Sequence, residues 1–222
     1  MQFAERVANA YGLVLLLVLA TYVLQSLIPY KGWTAVLTTL ASSTAAIVAF
    51  ASSRVRPSVF RAAVVIGATA VLLAIVAAIA DARHVLAASA FAQLLLLLVA
   101  AGAILRTVLA ETQVGFRTIL GAVSVYAILG LLFTYLYAAL DRLQDGAFFG
   151  QGTDVNGGDI LFFSFTTLTT TGYGDLVPAG QPGRMFAGLE MLLGQVFLVT
   201  LVAGLVSLWR PGTWARHQEP GD

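Results

Sequence analysis

The chain has 222 residues, 59% of them hydrophobic and 10% charged, with a mean hydropathy of +0.89; about a quarter of a soluble domain is charged, so water is not this chain's main solvent. A net charge of +1 without a basic block leaves nothing to attract a nucleic acid. The absence of cysteine excludes disulfides, thiolate nucleophiles and cysteine-ligated metals, and His84 and His217, far apart in the chain, read as solvated side chains rather than a metal pair.

A helix crosses the hydrocarbon core with about 20 apolar residues. Uncharged runs of that order cover 7–30, 32–53, 62–80, 85–105 and 118–140, and a sixth covers 185–209, interrupted only by Glu190. The expected fold is an all-α membrane protein with six transmembrane helices. The first run is long and its flank, Glu5 beside Arg6, is weakly basic, so it reads as a retained helix rather than a secretory signal. Between the second and third runs, Arg54, Arg56 and Arg61 form a basic cluster that sets topology or touches anionic lipid headgroups. The fourth run, Val85 to Leu105, has no basic residue, Arg106 stands alone at its end, and the third run, Ala62 to Ala80, has no acidic one. Charges that move through the field are what couple a helix to membrane potential; steep voltage gating by this helix is therefore expected to be absent.

Alternating spans with the amino terminus inside put Arg6, Arg54, Arg56, Arg61, Arg106, Arg117, Arg210 and Arg216 on one face, and Lys31, Arg83, Arg142 and Arg184 on the other. The positive-inside bias then places both termini in the cytoplasm and the long connection 141–183 outside. Three parts follow: a four-helix transmembrane domain over 1–110, a second membrane unit over 111–210, and a polar cytoplasmic tail over 211–222, opened by the helix-stopping Pro211. Arginine outnumbers lysine eleven to one, a bias resembling proteins of GC-rich bacteria, which points to a bacterial plasma membrane.

Within 141–183, Gly157-Gly158-Asp159 precedes the apolar stretch Ile160 to Leu168, too short to cross a bilayer. It is expected to dip in and return as a short helix, with the Asp159 carboxylate accepting orphan amide hydrogens at its start. The next residues, Thr169-Thr170-Thr171-Gly172-Tyr173-Gly174-Asp175, suggest an extended backbone with the dihedrals glycine tolerates. Unpaired carbonyls at membrane depth survive only when buried in protein or lining a water or ion path.

This segment resembles the pore signature of potassium channels, TVGYG or TTGYG followed by aspartate. The resemblance runs from the short helix through Asp175-Leu176-Val177-Pro178 and Gly183-Arg184 into the last run, where Gly194 resembles the hinge glycine of such channels; it covers roughly the last hundred residues. It implies a potassium-selective channel with K+ as the permeant ion, bound by the carbonyls of Thr170, Thr171, Gly172 and Tyr173, with Gly174 completing the filter and the Thr170 hydroxyl adding the innermost ring. One motif per chain requires several copies around an axis, and the resemblance implies a homotetramer in membrane lipid. Asp175 would brace the filter from outside. Some relatives pair that aspartate with a pore-helix glutamate, whose position here is Thr166, so no carboxylate pair forms.

Asp141, Asp145, Asp154, Asp159 and Asp175 against Arg142 make the outer connection acidic, a field that concentrates cations and is screened by salt. Glu190, costly inside an apolar run, has two readings: a partner such as Ser164, Thr167 or Arg184, or a place near the interface where it reaches water. Gly194 likewise reads as hinge or packing glycine. A membrane enzyme would need a nucleophile and base or a metal cluster within the helices, and none is visible. A less selective cation channel would depart at Tyr173, which is kept here.

Overall fold

The computed structural model describes residues 2–28, 32–53, 55–111, 115–150 and 156–208. Lys31, Arg54, Asp154, Arg210, Arg216, His217 and the 211–222 tail lie outside them. The described residues form seven helices: α1 (Gln2–Leu27), α2 (Trp33–Ser52), α3 (Pro57–Ala80), α4 (Arg83–Leu109), α5 (Phe116–Leu143), the short α6 (Gly157–Leu168) and α7 (Gln181–Leu208). Among the described residues the regular elements are thus all helices. Five of them are long and apolar enough to cross a membrane (α2, α3, α4, and 118–143 and 181–204 of α5 and α7), and a shorter apolar stretch, Tyr11–Leu27, lies in α1.

The helices outrun the uncharged segments that announce them. Arg61 lies inside α3, Arg83 and Arg106 inside α4, Arg142 inside α5 and Arg184 inside α7. Helices of 24 to 28 residues are longer than the about 20 residues a hydrocarbon core requires, which leaves room for charge on their end turns.

Packing inverts the soluble pattern. The buried positions of α3 are Ala63, Gly67, Ala70, Ala74 and Ala77, a stripe of small residues at alternating four- and three-residue steps that lets helix backbones approach. A side chain at Gly67 would stand 3.3 Å from Leu96 and 3.6 Å from Ser43, which makes it the point where α2, α3 and α4 meet. Many larger side chains, among them Leu16, Leu72, Ile79 and Leu95, face outward, while others such as Phe50 and Leu96 are buried between the helices.

Between these small residues, hydroxyls and amides bond across helices. Ser43 donates to Gln93 Oε1 (2.9 Å) and Ser89 to the Ala70 carbonyl (2.8 Å). Gln25 donates to the Tyr135 hydroxyl (3.0 Å), which lies 2.7 Å from Ser42 Oγ. Helices α1, α2 and α5 are thereby joined. Among the described elements α4 packs most extensively on α5, and α1 touches both α5 and α6. At the opposite end of α4, the Arg83 guanidinium donates to the carbonyls of Arg142 (2.9 Å), Asp141 (3.3 Å) and Gln144 (2.7 Å), satisfying acceptors that the end of α5 leaves without intrahelical partners.

Candidate functional site

Helix α6 starts at the first of the two glycines, and the residue before them caps it. Asn156 is its N-cap, accepting from the Asp159 amide (3.0 Å) while the Asp159 carboxylate accepts from the Asn156 amide (3.1 Å), a reciprocal capping box. The expected role of Asp159 holds for one amide; its partner Asn156 was not anticipated. Asn156→Ala should destabilise the fold by about 1 kcal/mol, read as a lower thermal midpoint, whereas Asn156→Ser should come close to the parent.

The helix is wedged between α5, α1 and α7. Gly130 of α5 leaves room for the Phe165 ring, which a Cβ there would approach to 2.6 Å, and Phe165 packs edge-on against Tyr22 of α1, centroids 4.8 Å apart. Phe163 meets Tyr137 (5.0 Å) and Phe149 (5.2 Å). Phe148 and Phe149, both buried, come from the segment after α5, which pairs with the segment after the glycine-rich turn: Gly150 N–H donates to the Val177 carbonyl (2.9 Å) and Ala179 N–H to the Phe148 carbonyl (2.9 Å). The connection between α5 and α7 is thus a plug of aromatic rings under a two-residue bridge.

At the carboxyl end of α6 the chain turns sharply. Thr170 N–H donates to the Thr167 carbonyl (2.9 Å), and the N–H groups of Thr171 (2.8 Å) and Gly172 (3.1 Å) both donate to the Thr166 carbonyl. No peptide here is cis, and in a trans peptide the C=O points opposite the N–H that follows it. The carbonyls of Thr169, Thr170 and Thr171 are therefore directed away from α6. Positive φ recurs at every second residue, Thr170 (+58°), Gly172 (+51°) and Gly174 (+81°). For a β-branched threonine this is a true outlier, and such residues cost about 1–3 kcal/mol and gather at functional sites. Residues 169–175 are all exposed. Tyr173 is 70% exposed and stacks on Phe162, centroids 5.8 Å apart at 11°.

The remaining expected residues fall as follows. Thr166 contributes its backbone carbonyl, while its hydroxyl donates to Phe163 O (3.0 Å). Asp175 is exposed and accepts from the Leu176 amide (3.1 Å). Thr170 Oγ1 donates to the Thr169 carbonyl (2.7 Å). Arg184 donates to the Pro178 carbonyl (2.9 Å), away from Glu190.

Glu190 is 0% exposed. Tyr137 Oη donates to its Oε2 (2.7 Å) and Ser164 Oγ to its Oε1 (2.6 Å), with Ser164 also 2.8 Å from the Gly130 carbonyl. One buried carboxyl group thus joins α5, α6 and α7. Ser164 was among its expected partners and Tyr137 was not; the water-reaching alternative does not fit the burial.

Gly194 of α7 lies against the end of α6. A Cβ there would overlap the Leu168 carbonyl oxygen and stand 3.0 Å from the carbonyl carbon. That same oxygen accepts from the Tyr126 hydroxyl (3.1 Å), and Tyr126 stacks on Phe197 of α7 (5.6 Å). A close helix approach is therefore present at this glycine, and α7 runs through it without a break. Among the described residues no cluster of acidic or histidine side chains could hold a metal ion.

Residues 121–210, which contain most of α5, all of α6, the turn and α7, match a protein-family model described as Ion channel. Over 49 residues the chain is 41% identical to two pore potassium channel c of Oryza sativa subsp. japonica. That alignment takes in 22% of this chain and 11% of the rice protein, so the likeness covers about a tenth of the relative's length. No solved structure matches.

Proposed function

We propose that this chain is one subunit of a potassium-selective channel that conducts K+ passively across a membrane. The observation that carries the reading is the backbone of residues 169–172: amide hydrogens turned back onto α6, carbonyl oxygens turned away from it, with the end of a short helix directly behind. Carbonyl rings replace a potassium ion's hydration shell, and the negative end of a helix dipole favours a cation. In this reading Thr170, Thr171, Gly172, Tyr173 and Gly174 form the filter, and α6 is a re-entrant pore helix. α1 joins α2, α3, α4, α5 and α7 as a sixth span, and Asp175 faces the outer mouth. Residues 1–110 form a flanking four-helix domain and 111–210 the pore domain. Both termini are cytoplasmic, in a bacterial plasma membrane.

One chain offers one strand of carbonyls, so the pathway closes only around an axis, as a homotetramer. Unequal burial supports this. Of the best apolar window in each helix, 72% of α5 is buried but only 17% of α7, and α7 presents Met185, Leu189, Leu192, Val196 and Val199 to its surroundings. The charge-free stretch of α4 supports a channel without steep voltage gating.

Purified protein in liposomes tests the reading. Potassium uptake down a gradient, with sodium excluded, is expected, and Tyr173→Ala should lower the potassium-to-sodium flux ratio at least tenfold. Equal sodium and potassium flux in the parent protein overturns the selective reading. A steep sigmoidal conductance–voltage relation carrying several gating charges overturns the voltage-insensitive one.

A further inference from the structure

Helix α1 runs alongside α6. Tyr22 lies edge-on against Phe165 in the last turn of α6, centroids 4.8 Å apart. Four residues on, the Ser26 carbonyl lies against Gly158 in the first turn, where a Cβ would stand 3.3 Å from its oxygen. The two helices therefore pass antiparallel and touch at both ends of the short one. Tyr22, Gln25 and Ser26 fall at i, i+3 and i+4, on one face of α1, and Gln25 ties that face to α5 through the Tyr135 hydroxyl (3.0 Å). Of the described helices α1 to α4, α1 alone packs on α6.

We propose that Tyr22 is a positioning residue for the turn 169–172, and that α1 is the element through which the four-helix domain sets the geometry of that turn. Its bearing on conduction rests on the reading of the turn as an ion filter.

The link runs through Phe165. Its ring is held by Tyr22 and also fills the notch at Gly130 of α5, where a Cβ would approach it to 2.6 Å, so these two residues fix where the last turn of α6 stands. The Phe165 carbonyl accepts from the Thr169 amide (3.0 Å) and the Thr169 hydroxyl (2.8 Å). The next carbonyl, that of Thr166, accepts from the amides of Thr171 and Gly172. Three of the four amides that turn the backbone of 169–172 thus hang on the residue Tyr22 touches and its immediate neighbour. A last turn that tilts for want of the Tyr22 ring carries both acceptors with it.

Hydrogen exchange reads these amides directly and needs no conduction. With the full chain in phosphatidylcholine nanodiscs in sodium, the amides of 169–172 should exchange at least fivefold faster in Tyr22→Leu, and in the bulkier Tyr22→Met, than in the parent. Tyr22→Phe, which keeps a ring against Phe165, should exchange as the parent does. Leu96→Ala controls for loss of stability alone: Leu96 is fully buried, beside Gly67 in the four-helix domain, so this variant should melt lower yet leave exchange at 169–172 unchanged. Parental exchange in Tyr22→Leu and Tyr22→Met overturns the proposal. So does acceleration in Leu96→Ala as large as theirs. The difference in melting temperature between potassium and sodium separates this inference from the reading beneath it. A parent without that difference removes the ion filter, while exchange still decides whether Tyr22 places the turn. In a parent that has it, Tyr22→Leu should lose at least half, and a Tyr22→Leu protein that keeps it whole overturns the proposal.

Discussion

Glu190→Ala is expected to lower the thermal midpoint of the purified protein by about 5–15 °C, whereas Glu190→Gln should stay within a few degrees of the parent. The difference follows from the three-way contact at the carboxyl group. Alanine leaves the Tyr137 hydroxyl without an acceptor in a buried site, about 1–3 kcal/mol, and opens a void between α5, α6 and α7 whose lining can collapse only in part. Ser164 suffers less, because its hydroxyl already lies 2.8 Å from the Gly130 carbonyl and can donate there. Glutamine keeps one acceptor oxygen for Tyr137 and offers its amide to Ser164, which can accept while it donates to Gly130. Tyr137→Phe should cost about 1–2 kcal/mol by itself and much less in the Glu190→Ala background, since the two substitutions remove the same bond. If Glu190→Gln falls as far as Glu190→Ala, the charge and not the hydrogen-bonded bracing holds these helices together.

What could be read from the sequence was chemistry confined to a few neighbouring residues. The short apolar run before Thr170, the two glycines and the helix-starting aspartate carry the turn and its helix within one segment, and each appears there in the structure. The positions of five long apolar helices were legible because charge marks the edge of hydrocarbon. The helix ends were not, because Arg61, Arg83, Arg106, Arg142 and Arg184 sit on helix turns that continue past that edge. Glu190 stood out because an ionisable group in an apolar run must find a partner. Its tyrosine partner is 53 residues away, and a tyrosine within α5 is as readily a packing aromatic as a donor. Phe148 and Phe149 illustrate the same limit: nothing local to a loop after a helix says that both rings are buried against Phe163 and Tyr137. Tertiary contacts between distant segments have no periodicity to betray them.

Gly194→Ala is expected to abolish potassium flux while leaving α7 helical, and it separates the two meanings of this glycine. As a hinge, Gly194 would owe its place to flexibility; alanine favours a helix interior over glycine by about 1 kcal/mol, so the variant would be stiffer and locked in one gating state, with its ion sites intact. As a packing residue, Gly194 owes its place to the Leu168 carbonyl, which a methyl group would displace. The displaced peptide ends α6 and is followed immediately by Thr169 and Thr170, and its oxygen would also lose the Tyr126 hydroxyl. Because Thr170 already holds a positive φ, the displacement needed to clear the overlap has little slack to absorb it, and the carbonyls of 169–171 turn with the helix end. Potassium-dependent stabilisation distinguishes the outcomes, since an ion that binds only the folded protein adds about 2.7 kcal/mol at a hundred times its dissociation constant. The parent should melt several degrees higher in potassium than in sodium, and Gly194→Ala should lose that difference. A variant that stops conducting yet keeps the full potassium-induced shift would return the residue to the role of hinge.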